Sequence, residues 1–331
     1  MGTDHGFRFG EHRIIVLCPR YIPARGEEMN LKRAWIQMAF LAILCFNCPA
    51  PSAQLLKPQD VNELPAAPAD HRIRYGSDPI QFADLRLPKG KGPFPIAVVI
   101  HGGCWMKFAD LQNTAPLSDA LRHAGIATWN IEYRRVDNTG GGWPGTFNDV
   151  AAAADHLKTI AKTYELDLTQ VIVIGHSAGG HLALWLAARH RLPKNSPLFV
   201  EKPLRIRGAV NLAGPANLRS FPPAHQKQVC GDVPITKLVG GLPSELPQRY
   251  HDASPTELLP LGVKQILITG TKDSLVPPKY GKEYEAAAQE TGDETEMIEI
   301  ENAGHFEVIA PNSTAWPTVE RAVQSLVKPT R

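Results

Sequence analysis

Residues 171–186 read VIVIGHSAGGHLALWL, a β-branched run followed by small and apolar residues. The run at 171–174 is typical of a buried strand, and the residues after Ser177 are typical of a helix that packs against a sheet. Gly175 and Gly179 flank Ser177 and remove Cβ atoms where strand and helix would crowd each other. The pattern therefore predicts a tight strand–turn–helix that exposes the Ser177 hydroxyl as a nucleophile.

The length and charge of the chain limit the classes of protein to which it can belong. The chain has 331 residues and a formal net charge of +2, with 43% hydrophobic residues. This length accommodates one large α/β domain with extensions. The near-neutral balance and the absence of long lysine and arginine runs give no electrostatic reason for a nucleic-acid partner. We therefore expect no nucleic-acid function.

The N-terminal part of the sequence has the layout of an export signal. The charged start MNLKR at 29–33 is followed by an apolar run at 34–46 and then by small residues and proline. The run is shorter than the roughly 20 residues that a membrane-spanning helix needs. We expect a signal peptide at 29–53, a secreted or periplasmic protein and no stable membrane span. Residues 1–28 are interpreted as an over-extended translation start, and 54–68 as a proline-rich linker.

The cysteines are divided between this leader and the remaining chain. Cys18, Cys45 and Cys48 lie in the leader, and Cys104 and Cys230 lie in the predicted domain. Two cysteines cannot form a disulfide framework. One bridge is conceivable in an exported protein, but we expect two free, buried thiols.

Strand-like and helix-like segments alternate from residue 71 onward, which predicts an α/β domain at 69–331. The expected architecture is a mostly parallel, twisted, eight-stranded sheet with helices on both faces. The predicted strands are 71–75, 80–87, 96–100, 127–133, 171–174, 207–211, 265–269 and 296–300. Besides the helix after Ser177, the predicted helices are 113–124, 148–164, 279–291 and 314–327. Residues 216–260 are long, proline-rich and weakly periodic, and we interpret them as an excursion over the carboxyl rim of the sheet that shapes a pocket.

Two further residues complete a possible catalytic set with Ser177. A serine nucleophile needs a base that takes its proton and a third group that orients the base. Asp273 and His305 each come just after a predicted strand, and the chain order is serine, aspartate, histidine. This order and placement predict a Ser177–His305–Asp273 triad. Asp252 is the reserve candidate for the acid.

The motif HGGCW at 101–105 directly follows a predicted apolar strand. Its glycines allow backbone N–H groups to approach a substrate carbonyl closely. We assign the oxyanion hole to the amides of Gly103 or Cys104 together with that of Ala178, the residue after the nucleophile. His101 is interpreted as a buried organiser of this loop.

Other residues next to the predicted catalytic loops have less specific interpretations. Trp105, Trp143 and Phe306 are interpreted as lining of a substrate pocket, with core packing as the alternative. Arg134 and Arg135 end a predicted strand, where a structural ion pair is favoured over recognition of a substrate acid. The predicted domain at 69–331 carries no H-E-x-x-H, C-x-x-C or P-loop motif, and none of its predicted strands runs directly into a dinucleotide fingerprint. We therefore expect no metal and no cofactor.

Together these motifs resemble the α/β-hydrolase superfamily, and within it the esterase branch that carries H-G-G-x-W with G-H-S-A-G-G. The resemblance covers about residues 66–327. YRR at 133–135 and GGWP at 141–144 also resemble secreted bacterial esterases of the feruloyl and acetyl-xylan esterase type. Similar motifs occur in arylformamidases, which hydrolyse N-formylkynurenine, although these commonly have an aromatic residue where this chain has Cys104.

The resemblance implies a serine esterase that forms an acyl-enzyme on a small-molecule or carbohydrate ester, such as an acetylated or feruloylated carbohydrate. An amide hydrolase of arylformamidase or peptidase type is the alternative. A catalytically idle binding module is a third hypothesis, against which the complete triad argues.

Overall fold

The computed structural model describes residues 54–327, so the predicted export signal at 29–53 and residues 1–28 lie outside the described residues. Within the described range, eight strands form one sheet in the order β1-β2-β4-β3-β5-β6-β7-β8. The strands are β1 (His71–Arg74), β2 (Phe82–Arg86), β3 (Phe94–Ile100), β4 (Ala127–Ile131), β5 (Leu166–His176), β6 (Gly208–Leu212), β7 (Lys264–Gly270) and β8 (Thr295–Ile300). β2 pairs antiparallel with both β1 and β4, and the other neighbours are parallel. The predicted eight-stranded, mostly parallel sheet is confirmed.

Helices cover both faces of this sheet. They are α1 (Pro58–Asn62), α2 (Ala115–His123), α3 (Gly145–Ile160), α4 (Ala178–Ala188), α5 (Pro223–Cys230), α6 (Pro234–Val239), α7 (Pro247–Ala253), α8 (Lys279–Glu290) and α9 (Trp316–Leu326). Side chains of β3 alternate between two cores: Val98 packs with α3 and α4, and Val99 packs with α2 and α9. Burial on both faces explains why β3 is apolar at every position. No helix in residues 54–327 is long and apolar enough to cross a bilayer.

β5 and α3 begin furthest before their predicted starts. β5 begins at Leu166 rather than at 171, because the polar residues Asp167, Thr169 and Gln170 hide the first part of the strand from a hydrophobicity pattern. α3 begins at Gly145 rather than at 148. A Cβ at Gly145 would lie 1.7 Å from the Gly140 carbonyl oxygen, so the helix starts where only glycine fits.

The segment 54–68, predicted to be a linker, packs on the domain instead. It contains α1, in which Val61 is fully buried. The Leu56 N–H donates to the Glu307 carboxylate at 2.7 Å. Apolar contacts and several hydrogen bonds, among them those of Leu56 to Glu307 and of Ala67 to Asp119, attach this segment, although its proline content is typical of a linker.

The expectation of two free thiols is wrong, because Cys104 and Cys230 form a disulfide with Cα atoms 6.1 Å apart. Cys230 ends α5, in the segment between β6 and β7. That segment folds back to the loop after β3 and so brings together two cysteines 126 residues apart in sequence. The segment 216–260 contains α5, α6 and α7, which form a helical insertion.

Candidate active site

Ser177 lies in the predicted tight turn between β5 and α4. Its backbone has φ 53° and ψ −120°, a conformation that is strained for a residue with a Cβ. A Cβ at Gly175 would lie 2.0 Å from the Gly179 carbonyl oxygen, and a Cβ at Gly179 would lie 2.1 Å from that of Ile100. Close backbone contact therefore requires glycine at both positions. The turn is also held by a hydrogen bond, in which the Ser177 N–H donates to the Leu212 carbonyl at 2.8 Å. The turn leaves Ser177 half-buried at the carboxyl rim of the sheet.

Asp273 and His305 form a buried pair at the same rim. Asp273 follows β7, His305 follows β8, and the Asp273 Oδ2 lies 2.7 Å from the His305 Nδ1. The other carboxylate oxygen accepts the N–H groups of Leu275 and Val276 at 2.8 and 2.9 Å. A carboxylate that accepts from Nδ1–H leaves the lone pair of Nε2 free, as a general base requires.

His176 connects the nucleophile turn to the loop of His305. Its Nε2–H donates to the His305 carbonyl at 3.0 Å, and the two imidazole rings lie 4.6 Å apart. Burial, together with the neighbouring His305, lowers the pKa of His176 well below its usual range, so this ring stays neutral. Sequence reasoning assigned no role to His176, although its adjacency to Ser177 was an indication of this contact. Ser177, His305 and Asp273 thus come to one edge of the sheet.

The HGGCW loop lies directly against the nucleophile. A Cβ at Gly102 would be 3.1 Å from the Ser177 Cβ. The amides of Gly103, Cys104 and Ala178 donate to no protein acceptor within residues 54–327. The amide of Ala178 also begins α4, where the helix dipole favours negative charge. The candidate donors are therefore available to a developing oxyanion beside Ser177.

A buried network of an ion pair and hydrogen bonds holds the first residue of the HGGCW loop. Glu132 accepts from Arg135 at 2.7 Å and lies 3.0 Å from the His101 Nε2. The Tyr133 hydroxyl donates to the His101 carbonyl at 3.1 Å, and the two rings stack at 4.4 Å. Burial raises the pKa of Glu132, but His101 and Arg135 outweigh burial and hold that pKa below its usual range. His101 is thus a buried part of the loop support.

Glu132 was not singled out in the sequence, although its position three residues before Arg135 is a recognisable pairing pattern. Arg134 also forms an ion pair, in which its guanidinium lies 2.6 Å from the Asp149 carboxylate. Both arginines therefore serve ion pairs within the fold.

The aromatic candidates occupy different environments. Trp105 is only 4% exposed and packs edge-on against His181 at 5.3 Å, which favours core packing for this residue. Trp143 and Phe306 are half-buried, and the Phe306 ring lies 5.1 Å from that of His305. Both are available to contact a substrate.

The reserve acid, Asp252, is not joined to His305. Its carboxylate accepts from Gln248 at 2.8 Å and lies 2.9 Å from the His251 Nδ1. Among residues 54–327, no group of three histidine, cysteine or acidic side chains is arranged to hold a metal ion.

The sheet order and the serine turn define the class: this is an α/β-hydrolase fold. Residues 83–287 match the family model BD-FAE, and the chain belongs to the BD-FAE family. It is 24% identical over 259 residues to Esterase LipC of Mycobacterium tuberculosis, covering 75% of this chain and 62% of that protein. It is 28% identical over 197 residues to Probable carboxylic ester hydrolase LipM of the same organism, covering 58% of this chain and 44% of that protein. The chain thus spans about half of the length of the curated relatives it matches.

Solved structures share the same fold. A truncated carbohydrate esterase from gut microbiota superimposes with a TM-score of 0.65 at 20% identity, covering 78% of this chain and 98% of that one. Esterase B from Lactobacillus rhamnosis superimposes with a TM-score of 0.66 at 18% identity, covering 89% of this chain and 95% of that one. At these identities the likeness establishes the architecture.

Proposed function

We propose that the protein is a carboxylic ester hydrolase that forms an acyl-enzyme on Ser177. The observation that carries this proposal is the buried Asp273–His305 hydrogen bond, at the rim where the strained serine turn ends. The curated relatives are named esterase and carboxylic ester hydrolase, which supports the same activity.

In the proposed reaction the same catalytic groups act first in acylation of Ser177 and then in hydrolysis of the acyl-enzyme. His305 Nε2 takes the Ser177 proton as the serine oxygen attacks the ester carbonyl, and Asp273 stabilises the resulting imidazolium. Backbone amides of Gly103 or Cys104 and of Ala178 bind the oxyanion. His305 returns the proton to the leaving alcohol, and the acyl group stays on Ser177. Water activated by His305 then releases the acid.

Hydrolysis of nitrophenyl acetate by the wild type and by Ser177→Ala tests this mechanism. We expect the variant to lose at least about 10⁴-fold in kcat, since the nucleophile acts as a unit with its base. The wild type should also be labelled at Ser177 by a fluorophosphonate. Equal rates for the two proteins would exclude the mechanism, and turnover of N-formylkynurenine far above that of esters would exclude the substrate class.

We further propose a carbohydrate ester, such as an acetyl or feruloyl ester, as the substrate. A cavity of about 190 Å³ has among its lining residues Trp143, Asn195, Gln248 and Arg249. An aromatic ring beside amide and guanidinium donors suits the C–H face and hydroxyls of a sugar. The volume is below the roughly 300–1,000 Å³ of pockets for drug-sized ligands, so it suits a single sugar unit.

This cavity is connected to the helix of the nucleophile. His181 and Trp185, one and two turns after Ser177 in α4, donate to the carbonyls of Ala253 and Asp252 in α7, at 2.8 and 2.9 Å. We expect Trp143→Ala to lower kcat/KM for acetylated xylan at least tenfold more than for nitrophenyl acetate. An equal effect on both esters would exclude this subsite.

We propose that the protein acts outside the cytoplasm. The predicted export signal at 29–53 supports this, and so does the Cys104–Cys230 disulfide, because disulfides persist in oxidising compartments. N-terminal sequencing of the exported product tests the proposal, and an intact Met29 would contradict it.

A further inference from the structure

Helix α5 is attached at its two ends to two different loops of the candidate active site. At its C-terminal end, Cys230 is bonded to Cys104 in the HGGCW loop. Nearer its N-terminal end, the His225 Nε2–H donates at 2.8 Å to the carbonyl of Leu275, two residues after Asp273. The helix therefore bridges the loop of the oxyanion donors and the loop of the acid.

The distance along the helix fits this bridge. His225 and Cys230 are five residues apart, which is about 7.5 Å along an α-helix. Phe221, just before α5, packs against His225 at 5.0 Å and against Tyr280 of α8 at 4.9 Å. The N-terminal end is thus held by packing and a hydrogen bond, and the C-terminal end by a covalent bond.

The HGGCW loop needs such an attachment because of its backbone conformation. Gly103, Cys104 and Trp105 follow one another with φ values of 98°, 53° and 55°. Residues with a Cβ are unfavourable in this left-handed region. Hydrogen bonds hold the Gly103 and Trp105 carbonyls, which accept from Met106 and Val136 at 2.8 and 2.9 Å. Cys104 itself is fixed through its disulfide.

We propose that the disulfide makes α5 a strap that positions both catalytic loops, with Cys230 and His225 as positioning residues. This inference rests on the proposed function, because it concerns the donors and the acid of that reaction. Reduction by a thiol reagent breaks the S–S bond, adds two electrons and two protons to give two cysteine thiols, and converts the reagent to its own disulfide. Cys104 then relaxes out of its left-handed conformation, and the adjacent amides leave their position beside Ser177.

The wild type with and without dithiothreitol tests the strap without any mutation. Both cysteines are half-buried, so a small thiol reaches the bridge. We expect reduction to lower kcat for nitrophenyl acetate at least tenfold while KM changes less than threefold, and reoxidation with oxidised glutathione to restore kcat. The double variant Cys104→Ser with Cys230→Ser should have the low kcat of the reduced wild type and no response to dithiothreitol. Full activity of the reduced wild type, verified by thiol titration, would overturn the proposal.

The His225 contact is tested by a matched pair of variants. His225→Gln keeps an N–H donor for the Leu275 carbonyl, and His225→Leu removes it. Labelling with a fluorophosphonate counts the folded, competent sites, so kcat is expressed per site. We expect the leucine variant to lose about fivefold or more in kcat per site and the glutamine variant to recover most of it. Equal values for the two variants would contradict a positioning role for His225.

Labelling with the fluorophosphonate distinguishes a failure of the proposed function from a failure of the proposed strap. If the oxidised wild type neither hydrolyses esters nor reacts with the fluorophosphonate, the proposed function fails and the strap loses its catalytic role with it. If the wild type is labelled and active but indifferent to reduction, the strap alone is refuted.

Discussion

Replacing Asp273 with asparagine tests how His305 is oriented. One carboxylate oxygen accepts from His305, and the other accepts from the N–H groups of Leu275 and Val276. In Asp273→Asn, the carbonyl oxygen must face the two backbone amides, because an NH₂ group cannot accept a hydrogen bond. The NH₂ group then points at the His305 Nδ1, which must become an acceptor. The imidazole proton then lies on Nε2, which is the nitrogen that must be unprotonated to take the proton of Ser177.

The structure sets the size of the effect. Turning the asparagine amide around would break two hydrogen bonds of about 1 kcal/mol each. A difference of about 2 kcal/mol leaves only about 3% of molecules with the productive tautomer. We therefore expect kcat to fall at least about 30-fold, and towards the 10⁴-fold loss known for a wrong tautomer in a serine triad.

Initial rates with nitrophenyl acetate measure this loss. Each rate is divided by the fraction of folded protein, which is obtained from a thermal unfolding curve. Asp252→Asn is the matched control, since Asp252 is also buried but contacts His251 and Gln248, and nitrophenyl acetate does not need the proposed sugar cavity that Asp252 lines. The control should keep kcat within threefold. A value for Asp273→Asn above a tenth of the wild type, or an equal loss in both variants, would refute the role assigned to Asp273.

Three further predictions concern the scaffold around the site. Burial lowers the pKa of His181 from 6.5 to about 4. Between these two pH values the unfolded chain therefore binds a proton on this residue and the native state does not. The unfolding free energy should decrease by about 3 kcal/mol as the pH falls from 6.5 towards 4. Urea unfolding of His181→Gln should show a flatter pH dependence, and an unchanged slope would contradict this assignment. Glu132→Gln should lose about 3–5 kcal/mol in urea unfolding at pH 7, because it leaves Arg135 buried without its counter-charge; a loss below 1 kcal/mol would contradict the network. Gly179→Ala, whose Cβ would meet the Ile100 carbonyl at 2.1 Å, should abolish fluorophosphonate labelling of the soluble protein, and normal labelling would show that the turn tolerates a Cβ.

Local patterns in the sequence were sufficient for the strands and for the order of the catalytic candidates. β3 could be predicted because a strand buried on both faces is apolar throughout. Ser177, Asp273 and His305 could be proposed together because each follows a predicted strand, and parallel strands present their carboxyl ends at one edge. These features depend on a few neighbouring residues and on one topological rule.

The features that could not be predicted depend on distant contacts. The disulfide joins residues 126 apart, and no local pattern places α5 beside the HGGCW loop. The Glu307 carboxylate accepts from Leu56 and Gly304 at 2.7 and 2.9 Å, and so connects a supposed linker to the loop of His305. Trp105 follows the two glycines of its motif, and only its contact with His181 shows that it points into the core.

The fold separates the parts that perform the proposed reaction from the part that would select its substrate. β5, β7 and β8 fix the catalytic candidates through paired strands, whereas the insertion at 216–260 lies outside the sheet. Yet the insertion is attached to all three regions around the nucleophile: to Cys104 by the disulfide, to Leu275 through His225, and to α4 through the Ala253 carbonyl. Changes on its solvent-facing surface can therefore alter the pocket and leave the triad in place. If the proposed function and the proposed strap hold, we expect changes at these three attachments to alter catalysis as well, because they would move the HGGCW loop, the loop of Asp273 or the helix that begins at the nucleophile.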